Sequence, residues 1–346
     1  MTDLRSLTFE ELQAALAPFG WPAFRARQIF EWLQAKGARD ARGMTNLPKD
    51  LRGTLDRQCF ISACEIARKQ VSQDGTVKYL FALHDGEKIE SAVMRYEHGR
   101  SICVSSQAGC SMGCVFCASG EKGRARDLLP GEMLAQIMEA QNDFGGRVSH
   151  VVLMGMGEPL DNYDNVLKFL RLASAPGGLN ISQRRISLST CGLVPKIYAL
   201  ANERLGITLS VSLHAPNDAL RTRLMPVNKA YPIKELMQAC ADYAKKTSRR
   251  ISFEYAMFQG VNDTQDHASE LAALLKHMLC HVNLIPANAW RVECGEWREG
   301  LRRSDRAAIQ AFQECLTRKG IACTVRRSLG QDISAACGQL RGQETG

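Results

Sequence analysis

At 346 residues the chain has room for one large domain with an appendage or for two ordinary domains, because single hydrophobic cores stop growing near roughly 250 to 300 residues. Its 45% hydrophobic and 23% charged residues suit a soluble globular protein, and no apolar run approaches the roughly 20 residues a membrane span needs. A formal net charge of +8 suits a polyanionic partner, although a merely basic soluble protein has the same balance.

The N-terminal MTDLRSLTFEELQAAL has no basic-then-apolar signal region, so the expectation is a protein that is not exported and works in the cytoplasm. In that reducing compartment the 13 cysteines read as thiols, metal ligands or catalytic groups before structural disulfides. From Leu7 to Phe60 apolar residues recur at helical spacing: Phe9, Leu12 and Leu16, then Phe24, Ile29, Phe30 and Leu33. Pro18, Pro22 and Pro48 punctuate them. A small helical domain is predicted over 1–60, with Arg25 and Arg27 on an exposed side where they could touch phosphate or simply keep the helix soluble. From 61 to 96 the spacing becomes strand-like, and Asp74-Gly75 and Asp85-Gly86 mark turns of a short β-hairpin linker.

Beyond Ser101, strands are predicted at Ser101 to Ser105, His150 to Met154, Arg185 to Ser189, Thr208 to Leu213, Ile251 to Met257, His281 to Ile285 and Ile321 to Val325. Helical patterns fall between most of them, such as Met133 to Ala140, Asn165 to Leu172, Ile233 to Lys246 and Ala268 to Met278. Alternating strands and helices mean an α/β fold with a parallel sheet and right-handed crossovers. Six or seven units, rather than eight, predict a partial (βα) barrel over 97–328, with its chemistry at the C-terminal ends of the strands. Residues 329–346 form a tail.

Directly after the first barrel strand, Gly109-Cys110-Ser111-Met112-Gly113-Cys114-Val115-Phe116-Cys117 gives the spacing C-x3-C-x2-C. Three thiolates on one tight loop can hold three irons of a [4Fe-4S] cluster and leave the fourth open. An open iron can bind the amino and carboxylate groups of S-adenosylmethionine, and an electron passed to the sulfonium makes a 5'-deoxyadenosyl radical. Phe116 would help shield the cluster. A structural zinc would want a fourth ligand, and the chain has no second C-x2-C or H-x3-H pair; three core cysteines clustered by chance are the other reading. The triad resembles the signature of the radical S-adenosylmethionine superfamily.

At the end of the next strand, Met154-Gly155-Met156-Gly157-Glu158-Pro159 puts glycines where backbone must approach a ligand closely, with Glu158 available to accept from an amine. The segment resembles the superfamily's G-G-E-P motif, which contacts the methionine amino group, with Gly157, Glu158 and Pro159 kept. A solvated glutamate at a strand-end turn is the plainer alternative. Further strand ends carry Ser189, then Ser212-Leu213-His214-Ala215, then Asn288, offering hydroxyl, imidazole or amide groups to ribose, carboxylate or adenine. A lone histidine there is usually structural, so the set carries the argument. Near the C-terminus, Cys337 stands among small residues in Ser334-Ala335-Ala336-Cys337-Gly338, and Cys103 lies close to the cluster loop; two such thiols could exchange a disulfide. Cys59, Cys64, Cys240, Cys280, Cys315 and Cys323 read as small core hydrophobes; Cys191 and Cys294 stay open.

Taken together, F-R-A-R-Q-I-F-x-W, I-E-S-A-V, C-V-S-S-Q-x-G-C, M-G-M-G-E-P-L, S-L-H-A-P, L-M-P-V-N, V-N-L-I-P and A-A-C-G-Q-L span nearly the whole chain. The chain resembles the ribosomal RNA large-subunit methyltransferase family that methylates adenosine at carbon 2. That resemblance implies a partial radical S-adenosylmethionine barrel, a [4Fe-4S] cluster and S-adenosylmethionine as cofactors, and 23S rRNA as substrate, with adenosine 37 of tRNA as a second one. It implies an electron donor such as flavodoxin or ferredoxin, and we expect a monomer. It further implies that Cys337 accepts a methyl group, that Glu90 in Ile89-Glu90-Ser91 removes the ring proton, and that Cys103 resolves the adduct through a transient disulfide with Cys337. The chemistry requires such a detour, because an amidine carbon is not nucleophilic enough to take a methyl group from a sulfonium. The alternatives are methylation at carbon 8 by the same machinery, a noncatalytic iron-sulfur RNA-binding protein, or a radical enzyme acting on a protein or small molecule. Two departures from the family pattern touch the RNA side: Asn288-Ala289-Trp290 followed by a longer Arg-rich loop with Cys294, Trp297, Arg298, Arg302 and Arg303, and Arg326-Arg327-Ser328-Leu329-Gly330 in place of a more usual polar turn.

Overall fold

The computed structural model describes residues 1–288 and 301–340, and the structural statements below concern these. Within the N-terminal region a two-residue strand, β1 (Thr2–Asp3), precedes α1 (Phe9–Leu16). Thr8 and Glu11 form a capping box that fixes where α1 begins: the Thr8 hydroxyl accepts from the Glu11 N–H while the Glu11 carboxylate accepts from the Thr8 N–H. Leu12 and Leu16 bury against Ile29, Phe30 and Leu33 of α2 (Phe24–Gln34). Arg27 is exposed and Arg25 is half-buried. After α3 (Lys49–Gln58), β2 (Cys59–Phe60) pairs in parallel with β1 and closes this region on itself. Fully buried Arg5 donates to the backbone oxygens of Ser62 and Ala38, tying the helices to the strand that follows.

The segment read as a linking hairpin supplies β3 (Glu65–Val71), β4 (Val77–Ala82) and β5 (Lys88–Tyr96), which run directly into β6 (Gly99–Cys103) as antiparallel neighbours. These strands do more than link, because β5 is buried from Ile89 to Met94 as a central strand must be. Gly75 and Gly86 sit at φ +83° and +89° in the two turns. A small ribbon, β7 (Gln107–Gly109) with β8 (Arg124–Asp127), frames the cysteine loop.

From here strands and helices alternate: α4 (Pro130–Phe144), β9 (His150–Leu153), α5 (Tyr163–Ala173), β10 (Ile186–Thr190), α6 (Val194–Asn202), β11 (Thr208–Ser212), α7 (Asp218–Leu224), α8 (Ile233–Thr247), β12 (Ile251–Met257), α9 (Gln265–Leu275), β13 (Cys280–Pro286), α10 (Arg306–Arg318) and β14 (Cys323–Val325). The resulting sheet has ten strands in the order β14-β13-β12-β11-β10-β9-β6-β5-β4-β3, parallel from β6 to β14. The seven predicted barrel strands all form; the C-terminal ends of β9 to β13, with Arg326 just after β14, line one cavity, and Cys103 at the end of β6 lines a second one. Cys294, Trp297 and Arg298 of the Arg-rich loop lie outside the described residues.

Buried Gln136 on α4 fastens the near end of this sheet. Its side-chain oxygen accepts from Ser91 Oγ at 2.6 Å and the Ser105 N–H at 2.9 Å, and its amide donates to the Ser105 carbonyl at 2.9 Å. Ser105 Oγ in turn donates to the Glu90 carbonyl and accepts from the Met156 N–H. One buried polar side chain therefore fixes the ends of β5, β6 and β9 relative to one another.

Candidate active site

Backbone contacts fold the cysteine loop before any metal is considered. Cys110 N–H donates to the Gly123 carbonyl at 3.0 Å, Val115 N–H to Leu224 at 3.1 Å and Cys117 N–H to Cys114 at 3.1 Å. Gly109 holds φ +80°, and a Cβ there would stand 1.9 Å from the Gly123 oxygen, so no larger residue fits at the loop's entry. Met112, Cys114, Val115 and Phe116 pack on a small apolar cluster that includes Leu224, Met225, Ala256 and Phe258. The three thiols Cys110, Cys114 and Cys117 border one cavity. Burial comes first in raising all three thiols, and neighbouring thiols add to it, Cys117 at Cys110 and Cys114 and Cys337 at Cys117: Cys110 is pushed up to about 12 and Cys114 well above its usual range. A set of thiols so costly to ionise fits a cationic partner, which removes both penalties. Among the described residues no three His, Cys, Asp or Glu side chains close on a single point as around one metal ion. A cubane asks for a wider set, with each thiolate on its own iron.

Across the cavity stand the strand ends: Gly155, Gly157 and Glu158 after β9, Ser189 and Thr190 on β10, Ser212 and His214 at β11, Ala256 on β12 and Asn288 after β13. Gly157 has φ +99° and a Cβ there would lie 2.5 Å from Gln107 Cβ. Buried Glu158 accepts from the Leu160 N–H at 3.0 Å and the Cys191 N–H at 2.7 Å; burial raises its carboxyl against these bonds. The Thr190 and Cys191 side chains also hydrogen-bond to this carboxylate, so it is firmly oriented at the cavity wall. Beside it Glu254 Oε1 accepts from Ser252 Oγ and Asn283 Nδ2, each at 3.1 Å, while Oε2 is buried without a hydrogen-bond partner. An orphaned carboxylate oxygen lining a cavity suits a donor group such as an amine or a ribose hydroxyl.

His214 has a left-handed backbone, φ +57°, which costs a non-glycine residue on the order of 1 kcal/mol or more. Asn262 pins it there, donating to the His214 and Ala256 carbonyls at 2.8 and 2.7 Å. His214 Nδ1 accepts from the Ala256 N–H at 2.9 Å, and its ring meets Phe116 edge to face at 4.8 Å. Burial pulls the imidazole from 6.5 down to about 3. Between those values the unfolded chain binds a proton that the folded site refuses, so His214 lowers stability as pH falls through that window and has no such effect above it. In His214→Gln the loss of urea resistance between pH 7 and pH 5 is therefore expected to shrink relative to wild type.

Leu213 does not reach the cavity; it is a fully buried core residue. Asn288 borders the cavity but spends its amide on the tail, donating to the Cys337 carbonyl at 3.2 Å and accepting from Gln331 at 3.0 Å. The tail docks on the cluster loop, with Ala118 N–H donating to the Gly338 carbonyl at 2.8 Å and Ser119 Oγ to Leu340 at 2.8 Å. Cys337 thereby borders the first cavity and also a second one that contains Cys103, Ala92, Tyr96 and Arg326. Burial pushes the Cys103 thiol up to about 12. Glu90 borders neither cavity; it is buried and pairs with Lys78 at 3.0 Å.

Two family descriptions match the chain: the radical SAM superfamily over residues 104–272 and the ribosomal RNA large subunit methyltransferase N-terminal domain over residues 2–61. The chain is 48% identical over 342 residues to the probable dual-specificity RNA methyltransferase RlmN of Thermoanaerobacter sp. (strain X514), covering 99% of this chain and 98% of that one. The chain belongs to the RlmN family. A second RlmN, from Pelotomaculum thermopropionicum, is 52% identical over 341 residues, covering 98% of this chain and 91% of its own length. The crystal structure of a radical SAM methyltransferase from Sphaerobacter thermophilus matches with a TM-score of 0.92 at 44% identity, covering 99% of this chain and 100% of that one. As a member of the RlmN family the chain is an S-adenosylmethionine-dependent RNA methyltransferase whose cofactors are a [4Fe-4S] cluster and S-adenosylmethionine.

Sequence reasoning did not place three basic residues that support or border these cavities. Arg221 is fully buried, donating to the Cys191 carbonyl at 2.6 Å, the Ser212 carbonyl at 3.3 Å and Asn228 Oδ1 at 2.9 Å. Nothing in the spacing of α7 marks it. Arg326 borders both cavities, and Lys78 holds Glu90. Lys78 was within reach: counting back from the Asp85-Gly86 turn places it diagonal to Glu90.

Proposed function

We propose that this enzyme methylates carbon 2 of adenosine in 23S ribosomal RNA and at position 37 of transfer RNAs, with Cys337 as the methyl carrier. The observation that carries this reading is the place of Cys337 on the boundary between the cavity of the cluster cysteines and the cavity of Cys103. Cys110, Cys114 and Cys117 would hold the cluster, while Gly157, Glu158, Ser189, Ser212, His214 and Asn288, with Leu213 packed behind, would bind and orient S-adenosylmethionine. Bound together, these cofactors supply a 5'-deoxyadenosyl radical, the reagent that a non-nucleophilic carbon requires. The Cys337 thiol would take a methyl group from one S-adenosylmethionine, which leaves as S-adenosylhomocysteine, and would give a hydrogen atom from that methyl group to the 5'-deoxyadenosyl radical. The resulting carbon radical would bond to carbon 2 of the adenine; Glu90 would take the ring proton, and the adduct's unpaired electron would pass to the oxidised cluster. Cys103, as a thiolate, would then bond to the Cys337 sulfur as the carbon-sulfur bond breaks and the released methyl carbon takes up a proton, leaving a disulfide for a reductant to open.

Such a site needs an unstacked base, which favours loops and single strands. We read 1–60 as an RNA-binding accessory domain, 61–96 as the hairpin element, 97–328 as the radical barrel and 329–346 as the cysteine-bearing tail. The enzyme is read as a cytoplasmic monomer fed electrons by a small redox protein such as flavodoxin or ferredoxin. Among the described residues no helix is long and apolar enough to cross a membrane. The test is to rebuild the cluster anaerobically, add S-adenosylmethionine, reductant and unmodified 23S rRNA or tRNA, and digest to nucleosides for mass spectrometry. A 2-methyladenosine peak from both RNAs is expected; 8-methyladenosine would overturn the assignment of the carbon, and no methylated adenosine would overturn the substrate.

A further inference from the structure

We propose that Lys78 is a positioning residue for this reaction, and that the turn between β3 and β4 together with Lys78 clasps the Cys337 segment against the face of the sheet that carries Glu90 and Cys103. The inference rests on the roles given above to those residues. It begins with strand register. Lys78 of β4 pairs with Ala92 of β5, and Ala92 pairs with Cys103 of β6, so the three stand in one row on one face. Glu90, two residues before Ala92, shares that face. Ala92 and Cys103 border the second cavity together with Ala335, Ala336 and Cys337, so the tail lies on this same face.

Four hydrogen bonds tie the tail to the hairpin. Gly330 N–H donates to Asp74 Oδ2 at 2.8 Å, Ser72 Oγ to Asp332 Oδ1 at 2.5 Å, Gln73 N–H to Asp332 Oδ2 at 3.1 Å, and Lys78 Nζ to the Ser334 carbonyl at 3.3 Å. The Gly330 backbone also presses on the Thr76 side chain, since a Cβ on Gly330 would stand 2.9 Å from Thr76 Cγ2. Of these donors Lys78 alone also reaches the site, with Nζ 3.0 Å from Glu90 Oε1 and both side chains about one-twentieth exposed or less. A buried ion pair is a poor device for stability, because a well-packed apolar pair does as well or better. What it does provide is geometry: one ammonium fixes the distance between the carboxylate and the tail backbone.

Beyond the clasp, Ala335, Ala336 and Cys337 form a short bridge. At one end Ser334 is held by Lys78, and at the other the Gly338 carbonyl is held by the Ala118 N–H of the cluster loop. Asn288 holds the Cys337 carbonyl between these ends, so the Cys337 side chain borders both cavities while the segment has little freedom to leave them. Loss of the Lys78 anchor lengthens the free span and dilutes the thiol relative to Cys103.

That dilution is measurable without turnover. Reduced holoenzyme is equilibrated anaerobically in glutathione redox buffers, where the two thiols lose two electrons and two protons to glutathione disulfide, which leaves as two glutathione molecules. The fraction of Cys103 to Cys337 disulfide is read by alkylation and peptide mass spectrometry. Lys78→Met is expected to lower the effective concentration of the pair by about tenfold, the equivalent of one charged hydrogen bond, and Lys78→Arg to restore most of it. Asp332→Ala, on an exposed residue that does not touch Glu90, should lower it without affecting folding, and carries the test if Lys78→Met does not fold. Wild-type values in both Lys78→Met and Asp332→Ala would overturn the clasp. If wild type forms no disulfide, the resolving-thiol reading fails instead, and hydrogen exchange at 330–337 decides the clasp. Exchange at least about tenfold faster in the variants supports it; unchanged exchange overturns it.

Discussion

Cys337→Ala is expected to lower RNA methylation by about a thousandfold or more while leaving the fold and the iron content unchanged. The side chain is half-exposed between two cavities, and the segment is held by backbone contacts from Asn288, Ala118 and Lys78 that alanine leaves in place. Truncation should therefore remove the carrier sulfur and little else. The contrast is Cys114→Ala, in which a thiol proposed above to hold the cluster, packed around Met225 and Phe258, is lost and the iron content is expected to fall with it. Iron analysis and nucleoside mass spectrometry on the two variants separate the roles. Wild-type methylation by Cys337→Ala would sink the carrier assignment, whatever the fate of the cluster.

Arg221→Met is expected to cost about 3 kcal/mol of folding stability and to weaken S-adenosylmethionine binding. Burial pulls the guanidinium's pKa down, so this cation is held at a cost by what it bonds. It donates to the carbonyls of Cys191 and Ser212, the ends of two neighbouring strands, and to Asn228. Methionine fills similar volume but takes the donor from two buried acceptors, the Cys191 carbonyl and Asn228 Oδ1, and from the half-buried Ser212 carbonyl; each buried one is worth about 1 to 3 kcal/mol, partly offset because no charge remains to be buried. Cys191 also positions Glu158 through its N–H, so movement at that strand end reaches the cofactor pocket. Urea unfolding checks the stability and equilibrium dialysis the binding. An unchanged unfolding midpoint would mean that the strand ends hold themselves.

Much of this site was legible in the sequence because it is local. The spacing of Cys110, Cys114 and Cys117, the Gly157-Glu158 turn and the seven barrel strands depend on residues a few positions apart, where period and backbone sterics act directly. Cys337 and Cys103 could be singled out as thiols able to exchange, while their roles, and any role for Glu90, came only from resemblance. Leu213 shows the limit in the other direction: its motif neighbours Ser212 and His214 line the cavity, yet its own side chain is fully buried in the core.

By itself, then, the sequence determined which reactive groups this protein carries: three closely spaced thiols, glycines at a strand end, and a thiol on the tail. The tertiary structure decided where those groups stand. Strand register put Lys78, Glu90 and Cys103 on one face, hydrogen bonds spanning about 260 residues laid the tail across it, and Arg221 locked two strand ends beneath the pocket. The physical reason is that such contacts join groups remote in the chain, and buried polar atoms accept only partners that folding brings to hydrogen-bond distance.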